Sequence, residues 1–231
     1  MIGIIGAMDI EIQGLKDLIT NPITERISGL DFISGQIHGK DAVIVKCGCG
    51  KVNAALCTEA MIIKYRPDVV INTGVAGGLD KRLNIADIAV ADAVVQHDYD
   101  TTPLGEPLGF LSQIDTVEIP CAKAVCDMLA VAARKLDNTA VVTGTIASGD
   151  QFLNSMEKKE KIVSAFSAVA GEMEGGAIGH VCYANKVDFG VLRAISDNAD
   201  GSSHMDFGKF TKIAAEKTIA ILSEFINSFA Q

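Results

Sequence analysis

Apolar residues follow two rhythms along this chain. Short continuous runs, the mark of strands buried on both faces, alternate with segments in which apolar residues recur every three or four positions, the mark of amphipathic helices. Residues 2–7 form the first run and predict a buried strand; residues 9–19 predict a helix, with Ile10, Leu15 and Leu18 apolar and Glu11, Lys16 and Asp17 polar. Residues 31–39 and 41–47 read as a hairpin turning at Gly39-Lys40-Asp41. A helix over 51–65 places Val52, Leu56, Ala60 and Ile63 near one stripe, and Pro67 stops it. Further strands are predicted over 68–72, 85–95, 140–146, 168–171 and 189–195, the last interrupted by Arg193. Helices are predicted over 121–136, 175–183 and 210–229, the last with Phe210, Ile213, Ala214, Ile221, Leu222, Phe225 and Phe229 at helical spacing. Residues 98–120, rich in Pro, Gly and Asp, form the longest irregular stretch, a length that in compact domains often marks a lid or contact segment. With no repeat, low-complexity tract or charged linker, this alternation predicts one α/β domain over 1–231: a mostly parallel or mixed sheet with helices on its faces.

Composition narrows the function classes. The chain has 231 residues, 48% of them hydrophobic, and a net charge of −9. No basic run offers a footprint for nucleic acid, and an anionic membrane surface is disfavoured for the same reason. No apolar stretch reaches the roughly 20 residues a membrane helix requires. The N-terminus lacks the basic flank of a secretory leader, so a cytoplasmic protein is expected. The six cysteines are expected to be reduced and mostly buried; Cys47 and Cys49 make a CxC pair without a second pair at metal spacing, so no metal site is expected.

The candidate chemistry sits where predicted strands end, the side of an open α/β sheet on which ligands bind. Acids recur there: Glu11, Asp150, Glu172, Glu174 and Asp197. Each has a plainer reading as well, Glu11 and Glu174 as acids in the first turn of a helix and Asp197 as a turn cap. Glycines gather at the same ends, in Gly48-Cys49-Gly50-Lys51 and Thr73-Gly74-Val75-Ala76-Gly77-Gly78. The first of these falls short of a phosphate-binding loop and reads as backbone packing, with Lys51, a cation opening a helix, expected to hold a local partner. His97, His180 and His204 read as surface, core or capping residues.

Taken in order, MIGIIGAMDIE at 1–11, NTGVAGG at 72–78, SGD at 148–150, EME at 172–174 and RAISD at 193–197 resemble the 5′-methylthioadenosine/S-adenosylhomocysteine nucleosidases of the nucleoside phosphorylase/hydrolase family, and the likeness runs to about residue 226. The resemblance implies a nucleoside phosphorylase-like α/β domain around a central mixed sheet, a homodimer with its sites near the interface, a small-molecule nucleoside as substrate, and no metal or organic cofactor. It implies that Glu11 activates water, that Asp197 protonates adenine N7 with Ser196 beside it, and that Glu174 binds the ribose hydroxyls over Met173. By the same likeness Phe152 stacks on adenine, backbone near Leu153 reads its edge, Met8, Cys49 and Phe207 wall the sugar and 5′ group, and Arg193 lies near the water and its carboxylate. Two departures stand out: Val75 occupies a position where the family commonly has Ser, and residues 98–109 differ from the best-known members and are expected to shape the 5′-alkylthio end.

The chemistry fits the residue types. Adenine leaves poorly as an anion, so a carboxyl at Asp197 has to carry a proton to it, which burial in an apolar site would favour. Positive charge then develops on the ribose, as in other glycoside hydrolyses, and carboxylates at Glu11 and Glu174 stabilise it. A phosphorylase would need clustered cations for its nucleophile, and the first loop offers Asp9 and Glu11 instead. A purine sensor without turnover is the reading from another class; the set Glu11, Glu174 and Asp197 argues against it.

Overall fold

A computed structural model describes residues 1–197 and 207–229, with only the backbone of 207–209. Its elements in chain order are β1 (Ile2–Gly6), α1 (Asp9–Lys16), β2 (Thr20–Ile27), β3 (Leu30–Ile37), β4 (Lys40–Lys46), α2 (Lys51–Tyr65), β5 (Val69–Gly78), β6 (Ile88–Gln96), β7 (Ile119–Pro120), α3 (Lys123–Ala133), β8 (Val141–Ser148), α4 (Met156–Phe166), β9 (Ala170–Glu172), α5 (Gly175–Asn185), β10 (Asp188–Asp197) and α6 (Phe207–Ser228).

The strands form one mixed sheet. Its order is β10-β6-β8-β9-β5-β1-β4-β3-β2, and β10 also pairs with β5. That extra pairing closes β5, β10, β6, β8 and β9 into a ring, from which β1, β4, β3 and β2 extend as an open wing. Parallel neighbours at the heart of the sheet must be buried on both faces. Accordingly β1 is buried along its whole length and β10 from Phe189 to Ser196. Helices α1, α3 and α6 pack against one another through α6, and α2 packs on α5.

Most elements follow the apolar pattern, and the differences have physical causes. β2 carries no apolar rhythm because it is a mostly exposed edge strand holding Pro22, which an edge tolerates. α4 was not visible as a helix either: of the residues facing the core, Lys159, Ile162 and Phe166, the first is a lysine. β5 and β10 run further than expected, so NTGVAGG and the Ser196-Asp197 end are strand and not loop. In α1 the core face is Glu11, Ile12 and Leu15, leaving Ile10 and Leu18 partly exposed. In α2 the expected stripe points outward: Ala54, Cys57, Thr58, Met61 and Ile62 face the core, while Val52 is 78% and Ile63 67% exposed, with Leu56 beside them. The irregular 98–120 stretch contains only a 3-10 turn at Thr102–Leu104, an isolated bridge and β7.

Candidate active site

The ends of β1, β5, β8, β9 and β10 open into one pocket, and backbone N–H groups hold three of its acids, Glu11, Glu172 and Glu174. Glu11, 3% exposed, sits in the first turn of α1. Its Oε2 accepts the N–H groups of Ala7 and Met8, each at 2.8 Å, and its Oε1 accepts that of Val75 at 3.0 Å. The helix-start reading of Glu11 does not exclude its place in the pocket: one oxygen closes the start of α1 and the other reaches β5. Val75 contributes through its backbone, so the missing Ser hydroxyl leaves this bond intact. Gly74 is what lets β5 come so near, because a Cβ there would overlap Glu11 Oε1 and lie 2.8 Å from its Cδ.

Glu172, at the end of β9, is the buried hub. Its oxygens accept the N–H groups of Glu174 and Gly175, the Ser148 hydroxyl and the Arg193 guanidinium. Arg193 also donates to Asn72, which in turn holds the Ile5 carbonyl, so one cation ties β10 to β5, β1 and β9. Burial works to raise the Glu172 pKa, but Arg193 and these hydrogen bonds overcome it and hold Glu172 below the usual carboxylate range. Glu172 was visible in the sequence as a strand-end acid but had been given no role; its place beneath EME, next to Arg193, is what only the fold supplies.

Glu174 occupies the N-cap position of α5 without a side-chain bond to the helix; it receives the Gly50 N–H at 2.9 Å instead, with Arg193 3.7 Å away. Burial, and next the negative charge of Glu172, push its pKa up to about 7. Burial likewise raises Glu11, against the opposing pull of Arg193. Gly50 takes φ +97°, a conformation open to glycine, and delivers its N–H to Glu174; the Gly48-x-Gly50 segment thus serves the site as backbone scaffold. Lys51 has its local partner: its ammonium lies 2.6 Å from Asp98 Oδ1, while its own N–H reaches Asp150 Oδ1 at 2.8 Å. Asp98 Oδ2 in turn accepts the Asp150 N–H. Asp150 is therefore a strut between loops.

Asp197 ends β10, just past a register shift after Ile195 that turns Ser196 and Asp197 toward the pocket. The Ser196 hydroxyl lies 3.3 Å from both the Ala76 carbonyl and Asp197 Oδ1. The surroundings of Asp197 also include a cation that the sequence reading did not name: Lys159, from α4, stands 3.0 Å from Oδ2. Lys159 was missed because α4 itself was not legible.

Ten of the candidate residues line this pocket: Met8, Glu11, Cys49, Val75, Phe152, Leu153, Met173, Glu174, Ser196 and Asp197. Phe152 is 55% exposed at its mouth. Arg193 lies behind it, fully buried under the carboxylates. The side chain of Phe207 and all of His204 lie outside the described residues. Among the described lining residues there are four acids, Glu11, Glu172, Glu174 and Asp197, and no Lys, Arg or His. His97 and His180 stand away from the lining; the former is half-buried and the latter lies 3.4 Å from Gln96 Nε2.

The model of the phosphorylase superfamily matches residues 1–227. A 5′-methylthioadenosine/S-adenosylhomocysteine nucleosidase of Staphylococcus aureus is 41% identical over 216 residues, 93% of this chain and 94% of that protein. Among solved structures, the nucleosidase of the same name from Neisseria meningitidis, in complex with methylthio-immucillin-A, superposes with a TM-score of 0.94 at 34% identity, covering 99% of each chain. A structure described as futalosine hydrolase of Helicobacter pylori gives 0.92 at 36% identity, covering 99% of this chain and 97% of that one.

Proposed function

The chain belongs to the phosphorylase superfamily and, within it, to the 5′-methylthioadenosine/S-adenosylhomocysteine nucleosidases, and from that premise we propose that it hydrolyses the N-glycosidic bond of 5′-methylthioadenosine and S-adenosylhomocysteine, with 5′-deoxyadenosine as a further candidate. Adenine and the 5′-substituted ribose are the products, in the recycling of S-adenosylmethionine by-products. The observation that carries hydrolysis over phosphorolysis is the lining of the pocket: four acids and, among the described residues, no cation facing its interior. A phosphate dianion would meet repulsion where water would meet a base.

In this reading adenine stacks on Phe152 with its edge against backbone at Leu153, and Asp197, with Ser196 beside it, delivers a proton to N7. The C–N electron pair departs with the neutral purine. Glu174 accepts the ribose 2′ and 3′ hydroxyls above Met173, and its carboxylate stabilises the positive sugar. Glu11 takes a proton from the attacking water, with Arg193 nearby; Met8, Cys49 and Phe207 wall the sugar and its 5′ substituent. The backbone grip on Glu11 supports this role, since a fixed carboxylate needs no reorganisation as charge develops.

The protein acts as a homodimer with its sites near the interface, a reading supported by the uncovered apolar stripe Val52, Leu56 and Ile63 on α2. Six free thiols suit a reducing, cytoplasmic setting. No helix among the described residues is long and apolar enough to cross a membrane.

Adenine release from methylthioadenosine, followed with and without phosphate, tests the reaction. Release in phosphate-free buffer with free methylthioribose as co-product is expected, and Glu11→Gln should lower it by about 10²–10⁴-fold without unfolding the chain. Turnover that requires phosphate would make the protein a phosphorylase and end the water-activating role of Glu11. The likeness to a futalosine hydrolase favours one second assay, with futalosine as substrate under the same conditions.

A further inference from the structure

Lys159 has no part in the scheme above, and its position is costly to explain as packing. It lies on the core face of α4 with Ile162 and Phe166 and is only 4% exposed. A lysine is almost never this buried without a partner, because withdrawing an ammonium from water carries a desolvation penalty that a methionine of similar length would not. Its ammonium meets Asp197 Oδ2 at 3.0 Å, at the site and not away from it.

Two buried cations therefore stand behind the lining, each against different acids. Arg193 lies against Glu172 and Glu174, the acids at the sugar end. Lys159 lies against Asp197, at the purine end. This separation matters because Asp197 alone is asked to change charge in the direction of proton donation. When its O–H bond breaks and the N7–H bond forms, a carboxylate is left in a partly buried place, and an ammonium 3.0 Å away offsets that charge.

We propose that Lys159 is a positioning residue for the general acid, holding the Asp197 carboxylate at the purine end of the pocket, with Ser196 at its other oxygen, and neutralising it once the proton has passed to the purine. Lys159 keeps its own three protons throughout, and Asp197 recovers its proton from solvent before the next turnover. The inference rests on the nucleosidase reading, and it assigns to α4 a function that the residues touching the substrate do not show.

The test compares Lys159→Met, Lys159→Arg and the parent enzyme on two substrates. One is methylthioadenosine, whose purine must be protonated to leave. The other is p-nitrophenyl 5-methylthio-β-D-riboside, whose leaving group departs as a stable anion. Lys159→Met is expected to lower kcat for the nucleoside by about 10–100-fold, a part of what a general acid contributes, while KM stays within about threefold. It should alter hydrolysis of the nitrophenyl riboside much less, and Lys159→Arg should restore most of the loss. Equal losses on both substrates, no rescue by arginine, or a Lys159→Met enzyme as fast as the parent would each overturn the proposal. A parent enzyme that releases no adenine would overturn the nucleosidase reading and this inference with it; a parent that turns over while Lys159→Met matches it would overturn the inference alone.

Discussion

Burial pushes the pKa of both Glu172 and Glu174 upward, yet the two end on opposite sides of the usual carboxylate range. Glu172 holds the guanidinium and stays charged; Glu174 faces that charge and is pushed up to about 7. Two measurable consequences follow for Glu174. As a ribose-binding carboxylate it must be ionised, so kcat/KM is expected to rise as pH climbs through about 7, and a profile flat between pH 6 and 8 would count against the assignment. Its effect on stability has the opposite sense. A pKa raised on folding, from 4.5 to about 7, contributes stability at acid pH that is lost as pH rises through the folded value. Glu174→Gln removes that loss. The variant is expected to be inactive yet to melt several degrees above the parent at pH 8, with the gain gone near pH 4.5, as thermal melts at the two pH values would report.

At the scale of elements, β5 and β10 do the positioning. They run parallel from Val69 and Asp188 to the pocket, so their pairing sets the distance between the Glu11 grip on Val75 and the Asp197 terminus. Gly74→Ala should therefore displace the Glu11 carboxylate from its bonds without changing the sheet, lowering kcat by on the order of 10²-fold or more; near-normal turnover would show that Glu11 tolerates another position. These strands were legible as buried apolar runs, and the acids and glycines were legible at their ends. Their far ends were not, because Thr73-Gly74-Val75 and Ser196-Asp197 read as loop by composition although partner strands satisfy their backbone. β2 and α4 were hidden for the opposite reason: one is an exposed edge and the other spends a core position on Lys159. Convergence of the site could be named through resemblance, residue by residue. That Glu172 and Arg193 form its hub, and that Lys159 pairs with Asp197, depended on contacts between elements distant in sequence.

For the whole molecule, the misplaced stripe of α2 is the most informative error. The helix is apolar on two sides; one packs on α5, and the other, with Val52, Leu56 and Ile63, is exposed among the described residues. A second copy of the chain is the occupant proposed here, so Val52→Glu with Ile63→Glu should yield a monomer in sedimentation equilibrium while leaving the fold intact; a parent already monomeric at micromolar concentration would refute the dimer. The same helix begins at Lys51, whose contacts with Asp98 and Asp150 fasten the 97–98 and 149–150 segments to the Gly50 backbone that grips Glu174. The chain beyond Asp98 therefore leaves the site from a moored point. Residues 99–109 contribute nothing to the lining of the pocket, so a change of sequence on the exposed part of that segment is expected to leave the Lys51 mooring, and the Gly50 contact with Glu174 behind it, in place.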